Sequence, residues 1–376
     1  MQIRFDTAPD AQKHWFSDPV YTIRAQSAGQ VDDALRQIDD ARAQGYWIAG
    51  YANYELGYAL EPRLAHRMPD TQSGRDLLNF GVFSGPIERH DPTVSPCSIS
   101  DWTPHWTENQ YIQAFDRVIE WIKAGDVYQI NLTFPMMAQI TGDAWSLYHA
   151  LTSRQRVKHG AFVDLGADQG AFLSRSPELF FRTDAQGHIE TRPMKGTQPR
   201  HTDPNRDEQA RRFLETDEKN RAENLMIVDL LRNDISRICR TGSVHVPKLF
   251  HVETYATVHQ MVSLVAGELD GPVQFSQIMR ALFPCGSITG APKLRAMEII
   301  DDLEPAPRGI YCGTIGWMAP DGKSEFNVAI RTLDVKTGQA RLNVGGGVVY
   351  DSLGPSEYEE ALWKARFAKL SPPIAA

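Results

Sequence analysis

Apolar and polar positions along this chain change period several times, and each change marks an element. At positions 31–44 apolar residues recur at helical spacing, with Val31, Ala34, Leu35, Ile38 and Ala41 on one face. That spacing predicts an amphipathic helix. Trp47-Ile48-Ala49-Gly50-Tyr51 is short and almost wholly apolar, which predicts a buried strand. Positions 85–106 are rich in Pro, Ser, Asp and His without periodicity, and read as a surface connection. Thr107-Glu108-Asn109-Gln110 has the spacing of a capping box. The helix it opens carries Tyr111, Phe115, Val118, Ile119 and Ile122 in one stripe and ends at Gly125. Positions 127–134 then alternate with period two. Gln129, Asn131 and Thr133 share one face; Tyr128, Ile130, Leu132 and Phe134 share the other. Three polar side chains on a strand face fit either solvent exposure or a polar pocket, and spacing does not choose.

Positions 179–183 and 188–192 flank Asp184-Ala185-Gln186-Gly187, which predicts a hairpin. Pro193 is expected to stop ladder pairing, and Gly196 to turn the backbone tightly beside Lys195. Asp203-Pro204 suits an N-cap and first-turn proline, opening a charged helical stretch to position 239. Positions 317–349 predict a meander with turns at Pro320-Asp321-Gly322 and Thr337-Gly338. Ser356-Glu357-Tyr358-Glu359 repeats the capping-box spacing before a terminal helix. Strands joined by hairpins, with helices between, predict an α+β fold of largely antiparallel sheets.

Composition narrows the class. The 376 residues are 42% hydrophobic and 23% charged, ordinary for a globular chain with a large core. A net charge of -8 and the lack of any Lys/Arg-rich run argue against a nucleic-acid partner. No apolar run is long enough to span a bilayer, and Met1-Gln2-Ile3-Arg4-Phe5-Asp6 lacks a signal core. Cys97, Cys239, Cys285 and Cys312 are scattered, without a C-x-x-C pair. They fit reduced thiols, so a cytoplasmic location is expected.

Several clusters carry possible chemistry. In Arg192-Pro193-Met194-Lys195-Gly196-Thr197, repulsion from Arg192 and partial burial would lower the Lys195 pKa. A neutral amine is a nucleophile, whereas a lone Lys is more commonly a solvated loop residue. Glu223 stands among apolar residues on one helix, while Glu357 and Glu360 share a face of the last helix. Carboxylates from two helices suit Mg²⁺. A helix N-terminus, or pairing of Glu360 with Lys364, accounts for the latter two as well. Gly345-Gly346-Gly347 reads as a hinge between strand and turn, either an anion cradle or a plain connection. Cys285 to Lys293 leads into a helix with an early proline, and its hydroxyls and N–H groups make either an anion site or a cap. Tyr311 and Arg331, on neighbouring predicted strands, suit a carboxylate, with a structural ion pair as the alternative for Arg331. Glu178 and His259 are acid/base candidates. His259, beside Val258, Met261 and Val262, also fits a satisfied core residue.

Taken together, residues 124–132, Ser176-Pro177-Glu178, 192–197, 222–234, 286–296, 309–316, 327–333 and 345–360 resemble, in the same order, the motifs of the chorismate-utilising enzymes. The resemblance runs from about Trp106 to Phe367. It implies one large α+β domain, two antiparallel sheets packed as a sandwich with helices outside. Residues 1–105 would form a shortened N-terminal part of that fold, and 106–376 the chorismate-binding catalytic region. It also implies that Glu223 and Glu360 hold Mg²⁺ over the ring carboxylate, with Glu357 close by. Tyr311, Arg331, Gly345 and Gly347 would receive the other carboxylate, and Ser287, Thr197 and Gln129 would complete the substrate site. His259 would lie near the departing hydroxyl, and Glu178 would act as acid/base.

Two positions point to a branch. Hydrolytic members place a base Lys where this chain has Gln129, and an amide cannot activate water. Anthranilate-forming members have Ala at the position of Lys195; members that make 4-amino-4-deoxychorismate have Lys. The expected reaction is therefore amination of chorismate through a covalent lysine, feeding p-aminobenzoate and folate synthesis. No glutaminase segment with a nucleophilic Cys and His is apparent, so ammonia would come from a separate glutamine amidotransferase subunit or free from solution. Asn220 stands where relatives usually have an acid, and the Leu-Leu-Glu-Ser segment of tryptophan-regulated members is not found. The competing expectations are anthranilate synthesis and a non-catalytic chorismate-binding relative.

Overall fold

The computed structural model describes residues 1–69, 76–154, 156–255, 258–272 and 274–370. Two antiparallel sheets form, each of ten strands among the described residues. The first runs in the order Gly290–Ala291, Gln129–Thr141, Gln339–Val348, Thr332–Lys336, Ala171–Ser174, Ala161–Asp164, Gln2–Phe5 and Trp15–Phe16. The second runs Met194–Pro199, Val258–Glu268, His188–Arg192, Leu179–Thr183, Ser324–Asn327, Thr314–Met318, Trp47–Ala52, Leu78–Phe83 and Tyr21–Ala25. His245–Thr254 also pairs with Val258–Glu268.

The sheets face one another across an apolar layer. Ile3, Phe5, Val163 and Phe172 from the first meet Ala49, Tyr51, Phe83, Ile315 and Trp317 from the second. Tyr51 and Phe172 cross the layer edge to face, with ring centroids 4.8 Å apart. Alternate residues of the same strands point outward under helices. Ile48, Phe80 and Ile23 join Val31, Leu35 and Ile38 of the helix Ala28–Ala43 in the larger core cluster. This double burial is why positions 47–51 carry no polar alternation. Residues 1–105 supply strands to both sheets, Gln2–Phe5 to the first and Tyr21–Ala25, Trp47–Ala52 and Leu78–Phe83 to the second. Phe326 is fully buried and stacks on Phe181 at 4.8 Å and on Phe275 at 5.2 Å. Phe326→Ala is expected to cost about 3–5 kcal/mol, read as a lower urea midpoint.

The capping box at Thr107 forms, and Gly125 closes its helix in the left-handed conformation. Asp203 caps the helix Pro204–Thr216 as its sequence requires. Four expectations need correction. The predicted meander is two hairpins in different sheets: Thr314–Met318 with Ser324–Asn327, and Thr332–Lys336 with Gln339–Val348. The chain crosses between the sheets at residues 328–331, and period-two alternation cannot show that, because both hairpins alternate alike. Pairing resumes straight after Pro193, in a strand that bulges between Met194 and Thr197. Gly345, Gly346 and Gly347 are ladder residues opposite Thr133, Leu132 and Asn131, not a hinge. The terminal helix Gly354–Lys364 begins before Ser356, with Leu353 at its N-cap and Pro355 in the first turn.

Candidate active site

The bulge at Gly196, with φ +82°, turns the Lys195 side chain into a cavity of about 730 Å³. Glu178, Thr197, Glu223, Ser287, Tyr311, Arg331, Gly345, Gly347, Glu357 and Glu360 also line it, so residues spread over most of the chain converge. The glycine ladder forms one wall because side chains do not fit there. A Cβ on Gly345 would lie 2.2 Å from the Leu132 carbonyl oxygen. A Cβ on Gly347 would lie 3.0 Å from Lys195 Nζ and 3.0 Å from Gln129 Nε2. The amine, the amide and the bare backbone therefore meet at one point. Gln129 is fully buried, and neither of its amide atoms has a hydrogen-bond partner. Such an orphan costs free energy unless a ligand satisfies it. Gly347→Ala is expected to cut kcat/KM on the order of 100-fold through displacement of the amine, with the melting temperature little changed.

Burial pushes the Lys195 pKa down, and the nearby Lys364 ammonium pushes the same way, against Glu223, Glu178 and Glu360. Arg192 is not the responsible cation: its guanidinium is paired with Glu253. Glu178 is buried, and burial raises its pKa to about 7. Ser287 Oγ donates to Glu178 Oε1 at 2.7 Å, and Lys195 and Arg331 add attraction, which limits the rise. A carboxyl poised there holds or releases a proton near neutrality.

Tyr311 and Arg331 do line the cavity together, but neither lies on a strand. Tyr311 precedes the strand Thr314–Met318, and Arg331 sits in the crossover between sheets at φ +50°. Backbone pairing joins the two segments, with Cys312 N donating to Ala329 O at 3.0 Å and Ala329 N to Gly313 O at 2.9 Å. Phenol and guanidinium together offer a fork of donors to a carboxylate.

The helices Glu218–Ser236 and Gly354–Lys364 supply the acids. Burial raises the Glu357 pKa, and the neighbouring Glu360 adds to the rise, while Ser352 Oγ donates to Glu357 Oε1 at 2.7 Å. Burial pushes Glu360 up, but Lys364, 2.8 Å away, together with Lys195 and Lys219 outweighs it and holds the carboxyl below its ordinary value. Lys364 Nζ donates as well to Gly345 O at 2.8 Å. Among the described residues no three such acids already meet as a metal cluster. The donor set, carboxylates of Glu223, Glu357 and Glu360 lining one cavity, nonetheless fits a hard divalent cation.

His259 is not among the cavity-lining residues. It is buried, with Nε2 3.0 Å from Asp207 Oδ1 and Nδ1 2.9 Å from Thr254 Oγ1. Strand alternation explains the placement: the next residue, Gln260, faces the cavity, accepts from Thr197 Oγ1 at 2.8 Å and donates to Gly196 O at 2.8 Å. Asn220 lines the cavity, and so do Lys219, Gln260, Asn343 and Lys364, which were not expected there. Lys219 and Lys364 each lie four residues from a site glutamate, a spacing legible in the sequence. Gln260 and Asn343 gave no such signal. Asn220 is held by Asp217, its Nδ2 donating to Oδ1 at 2.7 Å.

Comparison with known proteins places this geometry. Residues 2–369 match the model of the chorismate binding enzyme family. The chain is 45% identical over 274 residues to aminodeoxychorismate synthase component 1 of Salmonella typhimurium, covering 73% of this chain and 60% of that protein. It is 46% identical over 265 residues to the protein of that name in Escherichia coli, covering 70% and 58%. The match thus spans about 60% of the length of these relatives. A crystal structure of anthranilate synthase component I from Streptococcus pneumoniae superposes with a TM-score of 0.81 at 26% identity, over 97% of this chain and 92% of that one. The chain belongs to the chorismate binding enzyme family.

Proposed function

We propose that this protein aminates chorismate to 4-amino-4-deoxychorismate, with Lys195 as a covalent nucleophile, in the synthesis of p-aminobenzoate and folate. The observation that carries the reading is the Lys195 amine, recessed beside Gly347 and Gln129 and biased toward its neutral form, with Glu178 in the same cavity. The names of the relatives, aminodeoxychorismate synthase component 1, support it.

The chain's own residues account for the steps. Tyr311 and Arg331 bind one carboxylate of the substrate and orient the ring, with the N–H groups of the glycine ladder beside them. The Lys195 amine forms a C–N bond to the ring as the C–O bond breaks, and Glu178 gives its proton to the departing hydroxyl, which leaves as water. Ammonia then forms the new C–N bond, the Lys195 amine departs, and the surplus proton returns to Glu178. One hard substitution becomes two easier ones. Glu223, Glu357 and Glu360 would hold Mg²⁺, which supplies charge neutralisation for the ring carboxylate. Because the relatives are named as components, a glutamine amidotransferase subunit is the proposed ammonia source.

The test is purified protein with chorismate, Mg²⁺ and ammonium salt, with products identified by mass. A product that retains the enolpyruvyl group, carries an amine in place of the hydroxyl and yields p-aminobenzoate with an added lyase supports the proposal. Release of pyruvate with an aminobenzoate, or no loss of chorismate, overturns it.

A further inference from the structure

A buried ion pair behind the cavity is not used by the proposed chemistry. Arg308 and Glu304 are 1% and 4% exposed at their side chains and do not line the cavity. Arg308 donates from Nε to Glu304 Oε2 at 2.9 Å and from Nη2 to Glu304 Oε1 at 2.7 Å. The guanidinium then reaches two main-chain carbonyls, Nη2 to Asn131 O at 2.6 Å and Nη1 to Ile288 O at 3.0 Å. Glu304 Oε1 in turn accepts from Thr133 N at 2.9 Å and from Thr133 Oγ1 at 2.8 Å. Tyr54 closes the far side, its ring centroid 4.6 Å from the guanidinium carbon. The main chain at 308 and 309 is pinned by Glu55, which accepts from Arg308 N at 2.7 Å and from Gly309 N at 3.2 Å.

These bonds gather three segments that are distant in sequence. Asn131 lies on the strand Gln129–Thr141, Ile288 follows Ser287, and Tyr311 follows Arg308 by three residues. All four of Asn131, Ser287, Ile288 and Tyr311 line the cavity. A buried ion pair is a poor source of net stability, since apolar groups of similar volume commonly serve as well. Its planar, five-donor fork is instead suited to fixing several acceptors at set positions.

We propose that Arg308, oriented by Glu304, is a positioning residue that fixes the polar wall of Asn131, Ser287 and Tyr311 against which the substrate seats. The proposal rests on the functional reading only in taking chorismate as the ligand. A lysine at 308 carries the charge but has three donors on one nitrogen and cannot make all four of these bonds.

The experiment measures chorismate binding by calorimetry, without ammonia, for wild type, Arg308→Lys, Glu304→Gln and Thr133→Val, alongside thermal melting. Thr133→Val is isosteric on a buried strand and removes one bond to Glu304. Expected is a loss of chorismate affinity of about ten-fold or more in Arg308→Lys and Glu304→Gln, and a smaller loss in Thr133→Val, with cooperative melting retained. In turnover, KM is expected to rise more than kcat falls. Unchanged affinity in the folded variants overturns the proposal. So does loss of cooperative melting in Arg308→Lys and Glu304→Gln with normal affinity in Thr133→Val, since the pair is then only a folding element. A wild type that binds chorismate but forms no aminated product overturns the functional reading alone. A wild type that binds no chorismate overturns both.

Discussion

Lys195→Ala is expected to lower formation of 4-amino-4-deoxychorismate by about 1000-fold or more, on the order of 4 kcal/mol of barrier. Chorismate binding should persist, because Tyr311, Arg331 and the glycine ladder remain. The space left by the side chain lies beside Gly347 and Gln129, where ammonia can enter. Any residual turnover should therefore appear as direct amination at the ring carbon that the lysine would otherwise attack, giving an isomeric product. Quenched-flow mass spectrometry adds a second measurement: wild type should carry a substrate-sized adduct on the peptide containing Lys195, and the variant none. Unimpaired product formation by Lys195→Ala removes the covalent step from the mechanism.

Glu178→Gln is expected to lower kcat by about 100- to 10,000-fold, the usual range for loss of a general acid/base group. It should also remove the limb near pH 7 from the rate profile, because that limb belongs to the carboxyl that burial raises to about 7. Stability gives an independent reading. The folded protein holds the Glu178 proton more tightly than the unfolded chain does, with a pKa of about 7 against 4.5. Between those values the folded state binds more protons, so unfolding free energy falls as pH rises through the window. The glutamine variant should lose that contribution to the slope of urea midpoint against pH. A wild-type limb near 7 that survives in the variant would assign the titration to another group.

The same residues show how far local pattern reaches. Glu357 and Glu360 were legible as one helical face, because three residues return nearly to the same azimuth. Lys195 was legible as a candidate nucleophile, and burial as one cause of its shift, but the second cation was not. Arg192 is nearer in sequence, whereas burial and Lys364, 169 positions away, are what the fold brings to the amine. His259 and Gln260 show the opposite case. They differ by one position on a strand, and the pleat sends one to Asp207 and the other to the cavity. Which face is inward depends on register against the neighbouring strands, Met194–Pro199 and His245–Thr254, and nothing within the strand itself sets that.

By itself the sequence determined the helices Ala28–Ala43 and Glu108–Ala124, the caps at Thr107 and Asp203, the hairpin at 184–187 and the set of motifs that marks the family. These depend on residues close along the chain, where side-chain period and capping chemistry act directly. Only the tertiary structure decided that two alike hairpins belong to different sheets, that three glycines are ladder residues rather than a hinge, and that Glu178 lines the cavity while His259 does not. Those outcomes depend on which distant segments are packed together, through desolvation and close approach of main chains, and both quantities belong to the assembled fold.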